Sequence, residues 1–357
     1  MLFCLSLSPA TQAEPAPGLS PEAIRHIDTA VESWRGESKA PGLSIAVVSD
    51  NQLVWSKGYG LADMENGVPA RSDTVYRLAS LTKCLTAVAV MQLVEQGKMD
   101  LDLPIQNYYP SYPQKPGAVT PRQLLTHMAG VRHNKWRETT STRHFASVAE
   151  AIDVFKDDPL LFEPGTKYSY STQGYVLLGG AIENVSGITY LQYLQEHIFK
   201  PAGMTQTAAD DTGLAIPNRA VGYRKGLFGF GWLRGVHLAP PHDTSIKLPA
   251  GGLVSTVEDM ARFAVALNTG RLVRPDTLEK MWAKPKTRDG KESDYGLGFL
   301  LGEKDGRKRV FNDGNQAGTR TFLFLQPNEK FAVCLMTNLE RAECEVLTPR
   351  IREVVLK

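Results

Sequence analysis

The 357-residue chain has four cysteines, too few for a small disulfide-stapled scaffold, and it is long enough to bury a core without them. It carries almost no net charge: 40 Lys and Arg stand against 38 Asp and Glu, leaving +2. Nucleic-acid binders usually show a basic excess or stripe, so no nucleic-acid partner is expected. No uninterrupted apolar run reaches the roughly 18 residues of a membrane-spanning helix. The chain has no GxSxG elbow, no HExxH pair, no P-loop and no GxGxxG after a strand. Cys84, Cys334 and Cys344 have no CxxC or Cys/His spacing, and no acidic cluster is spaced as a metal site, so neither a metal nor an organic cofactor is expected. Cys84 and Cys334 lie in apolar runs and read as buried thiols. His127 and His133 flank a Gly-containing loop and read as structural hydrogen-bonding groups.

What is present is an ordinary globular composition, 42% hydrophobic and 22% charged, which excludes a disordered chain. Residues 1–19 read as a leader. An apolar run with small residues up to Ala13 resembles the end of a secretory signal, without its basic start, and export to the periplasm or medium is the expectation; a mobile tail is the alternative. Residues 20–357 then form the functional unit. Ser20 and Pro21 open a helix as N-cap and first position, running to about Gly36. Leu43–Val48 and Leu53–Tyr59 read as a hairpin around residues 49–52. From Leu81 to Val94 the chain is apolar on nearly every face, the mark of a buried helix.

Further helices are predicted over Pro121–His127, Ser147–Phe155, Gly174–Val185, Tyr190–Phe199, Thr256–Leu267, Pro275–Trp282 and Ala342–Val355. Strands are predicted over Phe299–Leu301, Arg309–Phe311, Thr321–Gln326 and Phe331–Thr337. Strands thus occupy both ends of the chain, with helices between. The economical architecture is α+β: an antiparallel sheet built from both chain ends, flanked by helices, with an all-α domain inserted. The α/β lobe would take about residues 20–79 and 245–357, and the helical lobe about 80–244.

Chemistry enters at Ser80-Leu-Thr-Lys83, where the buried helix begins. A serine there gains from the positive end of the helix dipole, and three residues place the Lys83 amine on its face. Burial disfavours the ammonium, which suits Lys83 as a base activating Ser80. The plain alternative is a capping serine beside a lysine that extends to solvent. Tyr170 stands in Tyr170-Ser171-Thr172 just before a helix; a phenol near a lysine can ionise or relay a proton. Gly226-Leu-Phe-Gly-Phe-Gly-Trp232-Leu alternates Gly with bulky apolar residues and reads as a structural loop; an apolar wall over the site that selects hydrophobic substrates, or a membrane contact, is the alternative.

Ser80-x-x-Lys83, then Tyr170-Ser-Thr172, then a Gly-containing triplet before a C-terminal strand resembles the class C β-lactamase-like serine hydrolases, a family of β-lactamases, DD-peptidases and related esterases. The stretches Leu124–Gly130, Phe162–Gly165, Gly174–Gly179 and Gly251–Phe263 resemble it too. The resemblance implies a β-lactamase/transpeptidase-like fold and an acyl-enzyme on Ser80, with Lys83 and Tyr170 moving protons. Thr172, Asn312, Gly314 and Asn315 would bind the substrate. Gly314 would let the backbone approach it, and the Asn315 and Ser80 N–H groups would hold the oxyanion. The substrate would be a small-molecule or peptide ester, amide or β-lactam. In the third motif the family usually carries Lys or His where this chain has Asn312, followed by Asp313; Lys286-Thr287-Arg288 lacks the glycine and is a decoy. With no positive charge at 312, neutral esters or amides become the expected substrates, and Asn312→His is expected to raise activity on carboxylates. A fold retained for binding or scaffolding, with weak turnover, is the other reading.

Overall fold

The computed structural model describes residues 18–226 and 235–356. The expected leader therefore lies outside the described residues up to position 17, as does most of the Gly-aromatic segment. Helix α1, Pro21–Ser38, starts as expected: the Ala23 N–H donates to the Ser20 hydroxyl, and Lys39 closes it in the left-handed conformation. Strands β1 (Gly42–Ser49) and β2 (Gln52–Asp63) form the hairpin, and the short β3 (Val68–Pro69) edges it. The C-terminal strands are β4 (Leu300–Lys304), β5 (Arg307–Gln316), β6 (Thr319–Gln326) and β7 (Phe331–Thr337). They join one antiparallel seven-stranded sheet in the order β3-β2-β1-β7-β6-β5-β4, so the two chain ends meet at the β1/β7 pair.

Period-two alternation explains why this sheet is buried on both sides. Leu43, Ile45 and Val47 face the terminal helices α1 and Thr348–Val355, with Phe322, Val333 and Leu335 beside them. Ala46, Val48, Leu323, Leu325 and Cys334 face the other way, into a larger core. That core contains the buried helices α2 (Thr82–Glu95) and α3 (Thr172–Ser186) and the apolar face of α4 (Val257–Asn268). Cys84, Cys334 and Cys344 are free and buried.

Several predicted boundaries shift for identifiable reasons. Strand β5 extends over Asn312-Asp313-Gly314, residues with little intrinsic strand preference, because β6 pairs them, Asn312 with Leu323, Asp313 with Phe322 and Gly314 with Thr321. The C-terminal helix expected from Ala342 instead begins as a 3₁₀ turn at Cys344–Leu347 and becomes α-helical at Thr348, with Pro349 in its first turn. Helix Tyr190–Leu194 loosens into a π turn, Gln195–Phe199, before Pro201, which has no N–H to donate.

Candidate active site

Ser80 stands on a 3₁₀ turn, Ala79–Leu81, that leads into α2. Ala79 has φ +49°, a left-handed conformation that an alanine adopts at a cost of order 1–3 kcal/mol. Three contacts hold the turn in place. Leu78 N–H donates to Leu253 O at 2.8 Å, the Thr321 hydroxyl donates to Leu78 O at 2.9 Å, and Leu81 N–H returns to Leu78 O at 3.2 Å. Gly314 on β5 completes the support: a Cβ there would overlap Leu78 O and the Thr321 hydroxyl.

The side chains around Ser80 converge. Lys83 Nζ lies 3.1 Å from Ser80 Oγ, and the Tyr170 hydroxyl donates to the same oxygen at 2.7 Å. Lys83 also donates to Ala250 O at 2.7 Å, which fixes its amine between the helix and the 250 segment. Full burial lowers its pKa from 10.5 to about 7; the Lys247 charge adds to this, and Cys84 and Asp313 oppose it. Burial raises the Tyr170 phenol above its usual value, so it is a neutral donor and a proton relay, and the ionised form considered from sequence is disfavoured.

His127 and His133 act as expected, holding the start of α3. Ser171 N–H donates to His127 Nδ1 at 3.1 Å, and Thr172 N–H donates to His133 Nδ1 at 3.2 Å. Their pKa values are lowered, by burial first and then by the Lys83 charge, so both rings stay neutral. The His127 ring also stacks obliquely on Tyr170 at 4.3 Å between centroids, which ties the phenol to the scaffold.

Ser80, Tyr170, Thr172 and Asn315 line one cavity of about 960 Å³, together with His133 and Lys247. Asn312 and Gly314, expected to bind substrate, are not among the residues that line it. Alternation along β5 turns Asn312 inward, 3% exposed, where its Nδ2 donates to Gly298 O at 3.2 Å and its Oδ1 accepts from Asp313 N at 2.9 Å. Gly314 allows close approach to the Leu78–Ala79 backbone rather than to a ligand. Asp313 is ion-paired to Arg320, which also holds Glu345. Lys286 bridges to Glu292 at 3.4 Å on the surface and is not among the residues that line the cavity.

Sequence reasoning missed Lys247, the Ala250 carbonyl and the strained Ala79. The only trace of them is the Lys247-Leu-Pro-Ala-Gly251 segment ahead of the Gly251–Phe263 stretch, which reads as helix punctuation. No group of three or more His, Cys, Asp or Glu among the described residues is placed to hold a metal. No helix there is long and apolar enough to cross a membrane.

The family model described as Beta-lactamase matches residues 24–356. The mouse (Mus musculus) serine beta-lactamase-like protein LACTB, mitochondrial, is 30% identical, covering 91% of this chain and 77% of that protein. The putative penicillin-binding protein PbpX of Bacillus subtilis (strain 168) is 32% identical, covering 71% of this chain and 61% of its own length. The crystal structure of D-amino acid amidase from Ochrobactrum anthropi SV3 superposes with a TM-score of 0.79 at 26% identity, covering 94% of this chain and 99% of that one. The chain belongs to the β-lactamase family, and its α+β fold is that of the penicillin-binding and β-lactamase-like proteins.

Proposed function

We propose that this protein is a serine hydrolase that opens an ester or amide carbonyl through an acyl-enzyme on Ser80. The observation that carries the reading is the hydroxyl of Ser80 set between Lys83 Nζ at 3.1 Å and the Tyr170 phenol at 2.7 Å. A lysine with a pKa of about 7 is largely neutral just above neutral pH, so its lone pair takes the Ser80 proton as Oγ attacks the carbonyl. Tyr170 passes its proton to the leaving atom and regains one from the Lys83 ammonium, and the new C–O bond replaces the C–O or C–N bond that breaks. In the second half-reaction the same pair activates water, and the acyl group leaves Ser80 as an acid. The N–H groups of Ser80 and Asn315 are assigned to the developing oxyanion, since both residues line the cavity and β5 is pressed against the Ser80 turn at Gly314. Thr172 borders the substrate. Relatives named as a D-amino acid amidase and a penicillin-binding protein favour amide or peptide carbonyls among the candidates.

Turnover of a panel of activated esters, amides and β-lactams by wild type and Ser80→Ala tests the reading. Hydrolysis of at least one, lost by a factor of about 10³ or more in the variant, is expected. Equal background rates in both proteins would instead support the binding or scaffold alternative.

A further inference from the structure

We propose that Lys247 is the cationic anchor of the cavity, a specificity-determining side chain that binds a carboxylate on the acyl substrate. The proposal rests on the serine-hydrolase reading and names the substrate's charge. It reverses the expectation drawn from Asn312, because the cation arrives from a different segment of the chain.

The placement comes first. Lys247 caps the short helix Leu248–Gly251, whose Ala250 carbonyl holds Lys83 at 2.7 Å. A point at the position of a Cβ on Gly251 lies 3.6 Å from Lys247 Cδ and 3.6 Å from the carbonyl carbon of Ala79. The stem of Lys247 and the residue before Ser80 therefore both border the space that a side chain at Gly251 would fill. Lys247 lines the same cavity as Ser80 and Tyr170.

Its charge is uncompensated. Among the described residues Lys247 has neither a carboxylate within ion-pair distance nor a hydrogen-bond acceptor. The carboxylate whose field reaches it, Asp210, is fully buried and already shared by Arg77, at 2.8 Å, and Arg219. The other groups that face it are His133, His242 and Lys83. Both rings have lowered pKa values, that of His242 about 3, and none of the three supplies a negative charge. A half-buried ammonium with no counter-ion is costly unless a ligand supplies one. Burial and then Arg77 lower its pKa to about 8, above that of Lys83 at about 7, so of the two amines Lys247 is the better suited to hold an anion and Lys83 to act as a base. Arg224, Lys225 and Arg341 also line the wall, with Arg341 paired to Glu340 at 3.6 Å. The carboxylate is the anion an acyl substrate carries most simply, at a peptide terminus or on a leaving group.

The test uses the full chain and two esters of one N-acyl amino acid, the phenyl ester and the meta-carboxyphenyl ester. Wild type is expected to favour the carboxylate in kcat/KM. Lys247→Met should reduce that preference by about 10- to 100-fold, mainly through KM, the range for one hydrogen bond to a charged group. Lys247→Arg, which keeps the charge, should retain most of it. No preference in wild type, or the same preference in Lys247→Met, would overturn the anchor. If wild type turns over neither ester, the panel of esters, amides and β-lactams decides the serine-hydrolase reading by itself, and binding of meta-hydroxybenzoate followed by NMR decides the anchor. Binding at least tenfold weaker in Lys247→Met supports it, and equal or absent binding overturns it.

Discussion

Changing the two charges that act on Lys83 from opposite sides should move the pH dependence of acylation in opposite directions. Burial lowers Lys83 from 10.5 to about 7, a drop of ~5 kcal/mol against the ammonium at 1.36 kcal/mol per pH unit. The consequence at pH 7.5 is large. An ordinary lysine would be neutral in about one molecule in a thousand, whereas Lys83 is neutral in roughly three of four. The rate of acylation should therefore rise with pH and level off above an apparent pKa near 7. Lys247 pushes Lys83 down and Asp313 pushes it up. Lys247→Met removes the repelling cation, so the rise should move to higher pH. Asp313→Asn removes the stabilising anion, so it should move to lower pH; Arg320 keeps its contact with Glu345 and the local fold stays anchored. Each shift should be on the order of half to one pH unit, the scale of one partly screened neighbouring charge. Single-turnover acylation with a neutral activated ester from pH 5 to 10 reads this directly. A wild-type rise near 10, or two variants shifting the same way, would refute Lys83 as the neutral base.

Two further outcomes follow from β5. Gly314→Ala forces a methyl group into Leu78 O and the Thr321 hydroxyl, so it should cost about 1–3 kcal/mol in denaturant unfolding and slow acylation by displacing the Ser80 turn; wild-type values for both would mean the close approach is unimportant. Asn312→Leu leaves the Gly298 carbonyl with only the weak Cys84 thiol donor at 3.4 Å and should cost about 1–3 kcal/mol in the same unfolding assay, while Asn312→His should bring no new preference for carboxylates, contrary to the sequence expectation, because position 312 lies behind the cavity wall.

The sequence made the frame legible because the frame rests on periodicity. The alternation in Leu43–Val48 and the all-round apolar Leu81–Val94 segment both appear where expected, as sheet centre and buried helix. Ser80, Lys83 and Tyr170 were legible because serine, lysine and tyrosine stand in short motifs in a fixed order, and the structure brings the three together. The third motif misled because a motif gives a position but not the direction of a side chain. On β5, Asn312 and Asp313 point to opposite faces, one into the carbonyl of Gly298 and the other to Arg320. Lys247 was invisible for a different reason. Nothing near it in sequence shows that Arg77 and Arg219, from distant segments, take the buried carboxylate that would have neutralised it. A charge balance of +2 over the whole chain says nothing of a lysine without an ion-pair partner among the described residues on a cavity wall.

The central claim is that Ser80 is a nucleophile activated by Lys83 and Tyr170, and covalent labelling tests it most directly. Wild type treated with a fluorophosphonate at pH 7.5 should gain one adduct mass, mapped by peptide sequencing to Ser80 and absent from Ser80→Ala. Lys83→Met should label far more slowly while remaining folded by circular dichroism. No adduct on the wild type, or an adduct that persists in Ser80→Ala, would contradict the account.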